Sequence, residues 1–356
     1  MRSRFLAAAI AGLAVAPTLQ SQATYASFTG DARNTVVVPD AGVGGGVNNP
    51  LYLPPATDNN YSGVVNLWFR NAAGAVQAGC TGTLLSSRKI LTAGHCVSSN
   101  TNTIDYASFT ARFRNADGTF TEVNGTGFAV QQDYSGEVLE EQDVAVLTLS
   151  ADAPASARTY SLFAGNPLVD YTLAGYGRIG TGLTGDNSSS GQFNTVNTLR
   201  AARNRFESTG RDDQSFATIA AGDGAATYGG ILLSDFDPIG GATESFMCGG
   251  LGFCNEGLGL LEGAVGRGDS GGAAFTNTWQ ILGVASWGST LDGVSLSQYE
   301  TDFGYACVAN FAANSRCLAN YNFVMAQVVP EPSTYALMAT GLVGLIGLAR
   351  RRSTRA

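Results

Sequence analysis

The chain contains one histidine, His95, and one lysine, Lys89, among 356 residues. Charged residues make up only 13% of it, and the formal net charge is −8. Six of its arginines (Arg2, Arg4, Arg350, Arg351, Arg352 and Arg355) sit at the two ends, so the body between them is more acidic than the total. A body so poor in cations cannot neutralise a run of phosphates, which excludes nucleic acid as a partner. One histidine and no Cys-x-x-Cys pair exclude a zinc cage of the usual Cys/His spacing, and no metal or other cofactor is expected. Long amphipathic helical patterns and internal repeats are also missing, which argues against a helical bundle or a solenoid.

What the chain has instead is glycine, 46 residues of it, with abundant Ser, Thr and Asn. From Val64 onward short β-prone runs alternate with turns. Examples are Val64–Phe69, Thr83–Leu85, Lys89–Leu91, Ser108–Phe113, Val144–Leu149 and Gln280–Ala285. Such spacing predicts an all-β barrel or sandwich. Residues 178–246, rich in Gly, Asp, Ser and Thr, read as extended surface loops with a few strands.

The ends carry addresses. Arg2 and Arg4 precede an apolar run from Phe5 to Ala16, and small residues follow up to Ala26, which together predict a signal peptide over residues 1–26. Residues 27–59, with Gly42–Gly46 and Pro54-Pro55, read as an N-terminal arm or propeptide broken by one strand, Thr35–Val38. Six cysteines in close sequential pairs behind an export signal predict three disulfides, Cys80–Cys96, Cys248–Cys254 and Cys307–Cys317. Residues 60–327 are left as the folded domain.

At the other end, Val329-Pro330-Glu331-Pro332 leads into an apolar stretch from Tyr335 to Ala349 and then Arg350-Arg351-Arg352. Fifteen residues as a helix cover about 22 Å. That is a short transmembrane helix, with the arginines on the cytoplasmic side. The order Pro-Glu-Pro, apolar stretch, arginines over residues 328–356 resembles the PEP-CTERM sorting signal of Gram-negative bacteria. The resemblance implies processing by an exosortase-type enzyme, transient contact with the inner membrane, and a final place in the cell envelope or outside the cell.

Two strings carry chemistry. Thr92-Ala93-Gly94-His95-Cys96 follows Ile90-Leu91, and Gly266-Arg267-Gly268-Asp269-Ser270-Gly271-Gly272 places a serine hydroxyl in a glycine-ringed turn. Converging backbone N–H groups in such a turn suit the oxyanion of an acyl-transfer intermediate, and histidine is the side chain suited to take and return a proton near neutral pH. In this order the two strings resemble the trypsin/chymotrypsin-type (S1 family) serine proteases, over roughly residues 60–325. The resemblance implies two six-stranded antiparallel β-barrels with the active site in the cleft between them. It implies a catalytic aspartate between His95 and Ser270 at the head of an apolar strand. Asp143 fits, 48 residues after His95 and ahead of Val144-Ala145-Val146-Leu147, whereas Asp105, Asp117 and Asp133 lack the strand.

The same resemblance assigns the remaining positions. Gly268 and Ser270 would give the oxyanion-hole N–H groups. Ser286-Trp287-Gly288 would pair with substrate backbone. Ala264 and Val265 would line the floor of the specificity pocket, uncharged, with Gly288 and Gly304 leaving its walls open. Ala174-Gly175-Tyr176-Gly177 matches a turn early in the second barrel. The implied protein is a secreted serine endopeptidase acting on protein or peptide substrates through an acyl-enzyme, with an apolar or small P1 preference. The alternative is a catalytically weak surface or matrix protein that keeps the fold. An α/β-hydrolase esterase is disfavoured, since its serine precedes its histidine along the chain. One family feature is missing. No Ile-Val-Gly-Gly-type start follows a basic residue, and a cut after Arg33 would expose Asn34-Thr35-Val36-Val37 as the partner of Asp269.

Overall fold

The computed structural model describes residues 35–38, 50–100, 103–181, 185–186, 198–212, 216, 220, 225, 227–236, 257–289, 301–328 and 340. The expected signal peptide, the Cys248–Cys254 pair and all of the apolar tail except Thr340 lie outside these residues. The expected arm strand is present as β1 (Thr35–Val38).

Six strands of the N-terminal half close on themselves. They are β2 (Val64–Arg70), β3 (Val76–Ser86), β4 (Lys89–Thr92), β5 (Ser108–Arg114), β6 (Phe120–Val130) and β7 (Ala145–Leu149). The closed order is β2-β3-β4-β7-β6-β5, with every pair antiparallel. The period-2 alternation explains which side chains meet inside. Val65, Leu67 and Phe69 stand opposite Phe113, Ala111 and Phe109, all buried. Each such Leu or Phe contributes about 2 kcal/mol by leaving water.

The C-terminal half is built from β8 (Asp170–Gly175), β9 (Arg178–Thr181), β10 (Gly185–Asp186), β11 (Arg200–Arg205), β12 (Ser208–Thr209), β13 (Ile231–Phe236), β14 (Ala273–Phe275), β15 (Ile281–Ser289) and β16 (Thr301–Cys307). Seven of these form one sheet in the order β11-β8-β14-β15-β16-β13-β12. The expected all-β fold of two antiparallel units is thus present, the second unit being a seven-stranded half-barrel sheet where six strands closed on themselves were expected. The two edge strands, β11 and β12, are arms of one bent segment separated only by Phe206 and Glu207, so the sheet curls until its edges come from neighbouring residues. Tyr171 and Phe206 stack inside that curl with ring centroids 4.0 Å apart, and the Tyr171 hydroxyl meets Ser234 Oγ at 3.0 Å. Strand β1 runs parallel to β9, and β10 completes that small sheet.

Two further expectations need correction. Residues 200–205 and 231–236 are among the few strands expected in the 178–246 stretch, but they do not lie at the surface. β13 is buried along its whole length and β11 along most of it. Second, a helix, α1 (Ser315–Val328), ends the described domain, although no helical pattern was expected. Only Cys317, Asn320 and Val324 are buried on it, a stripe too narrow and too polar to stand out as amphipathic. It is capped by Asn314, whose side chain accepts from the N–H groups of Arg316 and Cys317. Asn320 on the same helix donates to the carbonyls of Glu141 and Cys307, which anchors the loop that leads to Asp143. Among the described residues no helix is long and apolar enough to cross a membrane.

Candidate active site

His95 follows β4 on a loop held at both ends. Cys96 is bonded to Cys80 on β3, as expected from the sequence, and the second expected bridge, Cys307–Cys317, is also formed. Asp143 stands just before β7, the strand that pairs with β4, so the sheet register brings the two loops together. Asp143 is fully buried, and both oxygens of its carboxylate accept hydrogen bonds. Oδ1 accepts the His95 backbone N–H at 2.7 Å, and Oδ2 meets His95 Nδ1 at 2.7 Å. The hydroxyl of Ser286 donates to Oδ2 as well and also lies 2.7 Å from the carbonyl of Val138.

The sequence alone placed Ser286 on the substrate-pairing segment and did not assign it to Asp143. A register shift between Ala285 and Trp287 in the β15–β16 pairing turns it inward. Beyond Val284 no described strand pairs with β15 on the β14 side, so Ser286–Gly288 present an open edge there.

Ser270 arrives from the other half of the molecule, in the turn before β14. Its carbonyl accepts the Thr81 N–H at 2.9 Å and lies 3.6 Å from Cys96 Sγ, and that sulfur is 4.0 Å from His95 Nε2. The serine therefore sits against the histidine loop. The turn needs glycine at two places. Gly268 and Gly271 adopt φ of +96° and +81°, the left-handed region. At Gly271 a Cβ would also fall 2.0 Å from Thr92 Oγ1. The Gly271 N–H donates to Ala285, and Thr81 Oγ1 donates to the Gly268 carbonyl. Among the described residues the N–H groups of Gly268 and Ser270 donate to no protein acceptor.

The sulfurs of Cys80 and Cys96 cluster with a ring nitrogen of His95, but both belong to a disulfide, so they offer no thiolate for a metal ion. The bridge closes a loop over a sequence separation of 16, worth about 3 kcal/mol on the chain-entropy model. A Cys80→Ser, Cys96→Ser double variant is expected to lose roughly that much stability in urea unfolding.

Ala264 and Val265 are buried among Leu282, Ala285 and Phe303, an apolar surrounding. Gly304 does not leave an open wall. A Cβ there would lie 2.2 Å from Trp287 Nε1, so the indole of Trp287 fills that space. Its other neighbours are Phe216, stacked at 5.3 Å with planes 14° apart, and Leu139. Phe216 comes from the long segment between β12 and β13 and was not singled out by sequence.

Two antiparallel β units, with a His–Asp pair on the first and a glycine-ringed serine on the second, define a trypsin-like architecture. Residues 55–230 match the trypsin family, and residues 328–353 match the PEP-CTERM protein-sorting motif. The second match marks the chain for export and sorting to the bacterial cell envelope. Serine protease Hayan of Drosophila melanogaster is 33% identical over 87 residues, 24% of this chain and 14% of that protein. The chain thus spans only a small part of that relative's length. The 1.7 Å structure of HL collagenase is 16% identical, with a TM-score of 0.47, over 72% of this chain and 92% of that one.

Proposed function

We propose that the protein is an exported serine endopeptidase with Ser270 as nucleophile, His95 as general base and acid, and Asp143 as the group that orients His95. The observation that carries this reading is the Asp143 carboxylate, buried and bonded to His95 Nδ1 at 2.7 Å while the Ser270 turn docks on the same loop. With Nδ1–H given to Asp143, Nε2 keeps its lone pair for the Ser270 proton. Ser270 Oγ attacks the scissile carbonyl, and its proton passes to His95. The tetrahedral oxyanion takes hydrogen bonds from the Gly268 and Ser270 N–H groups. His95 then protonates the leaving amine, and water hydrolyses the acyl-enzyme by the same route. The open edge at Ser286–Gly288 receives the substrate as an added strand.

The test is covalent labelling with a fluorescent organophosphonate, mapped by mass spectrometry. Label on Ser270 is the expected result; no label, or label elsewhere, would overturn the reading. A peptide library gives the specificity. Ala264 and Val265 favour apolar or small P1 residues, and equal or better cleavage after Arg would sink that assignment. Because Phe216 covers Trp287, side chains upstream of P1 find that apolar surface already occupied. Phe216→Ala should raise kcat/KM for peptides with a bulky apolar residue at P2–P4 by roughly tenfold.

The sorting motif extends the reading to the chain's fate. The tail enters the inner membrane of a Gram-negative cell transiently, and an exosortase-type enzyme processes it. The catalytic domain then remains in the envelope or is released.

A further inference from the structure

Asp269, the neighbour of Ser270, is 2% exposed. Its Oδ1 accepts the Gly177 N–H at 2.7 Å and its Oδ2 the Gly266 N–H at 2.8 Å. A carboxylate so far from water is costly unless a positive charge stands near it. The family's usual source, a freshly cut N-terminus, has no matching sequence in this chain.

The register of the second sheet points to another source. Arg200 on β11 stands directly opposite Gly175 on β8 in an antiparallel pair. Directly opposed residues project to the same face, with Cβ atoms about 5 Å apart. A Cβ on Gly175 would lie 2.0 Å from Asp269 Oδ1, so the carboxylate occupies the very face on which Arg200 emerges. Arg200 is itself only 4% exposed. Burial lowers its pKa, and the negative charge of Asp269 opposes that shift. Tyr305 on β16 also feels the charge of Asp269, and the arginines nearest along the flanking segments, Arg178 beside Gly177 and Arg267 two residues before Asp269, are both only half-buried.

We infer that Arg200 supplies, from inside the folded chain, the positive charge that holds Asp269, so that the oxyanion turn Gly266–Ser270 forms without a newly cut N-terminus. The inference rests on the endopeptidase reading and identifies Arg200 as a positioning residue of that site. It also gives Gly175 a reason: any side chain there would displace the carboxylate. The rival is a cut after Arg33. That chain would begin one residue before Thr35, which pairs with Arg178, the neighbour of the Gly177 whose N–H Asp269 accepts.

Two readouts on the full chain separate these cases. One is the rate of Ser270 labelling from about pH 6 to pH 11, and the other is hydrogen exchange of the 263–272 segment. Arg33→Gln is expected to label at the wild-type rate, with no loss up to about pH 11, because a guanidinium stays charged there. Arg200→Met is expected to label about 100-fold more slowly, as when oxyanion stabilisation is lost, and its 263–272 segment should exchange faster. Arg200→Lys should restore labelling at neutral pH and lose it as its ammonium deprotonates toward about pH 10.

The inference is overturned if Arg200→Met keeps both the wild-type rate and the wild-type exchange. It is equally overturned if Arg33→Gln is inactive while the wild type loses its rate as an α-amine titrates. Should Arg200→Met fail to fold, the alkaline limb of Arg200→Lys decides: its presence supports the inference and its absence overturns it. If the wild type never labels, the endopeptidase reading fails. The exchange comparison then still decides for or against Arg200.

Discussion

Ser270→Ala is expected to reduce peptide hydrolysis roughly 10⁶-fold and to abolish organophosphonate labelling, with an unchanged unfolding transition. The substitution removes one oxygen and leaves the Cβ in place. What fixes the turn is backbone: Thr81 N–H to the Ser270 carbonyl, Gly271 N–H to Ala285, and Gly272 N–H to Asp269. None of these involves Oγ, so the turn and the Gly268 N–H stay where they are. Substrate binding should therefore survive, and the loss should fall on kcat with KM little changed. Steady-state kinetics beside a urea titration check both halves of the expectation. Retained labelling would show that another group is the nucleophile. An equal loss in a destabilised protein would show that Ser270 serves the fold instead.

What the sequence made legible at this site is local. His95 and Ser270 each stand in a string whose neighbours do part of the work: Cys96 staples one loop, and Gly268 and Gly271 shape the other. Asp143 was readable because the strand that positions it follows it at once, as Ala145–Leu149. The residues that escaped act across long separations. Ser286 reaches Asp143 only because a register shift in the β15–β16 pairing turns it inward, and no string of neighbours encodes that. Arg200 looks like any strand arginine until the β8–β11 register places it over Gly175. Phe216 sits in a glycine-rich stretch that suggests a surface loop, yet it is buried against Trp287.

The fold follows the same division. The first barrel has continuous apolar runs, whereas the second half hides β11 and β13 among turn-forming residues. Its edges meet through the bend at Phe206-Glu207, a tertiary event. Helix α1 was missed because it docks mainly through Asn320 and a disulfide, and only weakly through an apolar stripe.

Asp143→Asn is expected to lower kcat about 10⁴-fold while leaving the protein folded. The carboxylate now accepts three hydrogen bonds: the His95 N–H, the His95 Nδ1–H and the Ser286 hydroxyl. Asparagine is nearly the same shape but has only one accepting oxygen, and its NH₂ must donate. If the amide oxygen keeps the backbone N–H of His95, the NH₂ faces Nδ1. Nδ1 must then accept, the ring proton moves to Nε2, and His95 can no longer take the proton from Ser270. If the amide is flipped, the NH₂ opposes the backbone N–H of His95, two donors meet in a fully buried site, and the loop is destabilised.

The first arrangement spares the fold, so kcat should collapse while KM stays close to wild type. Ser286→Ala separates geometry from tautomer. It removes one donor to Oδ2 but leaves the His95 bond intact, so its loss in kcat should be far smaller than that of Asp143→Asn. Equal losses in the two variants would mean that Asp143 acts through Ser286 and the β15 edge, and not through the histidine.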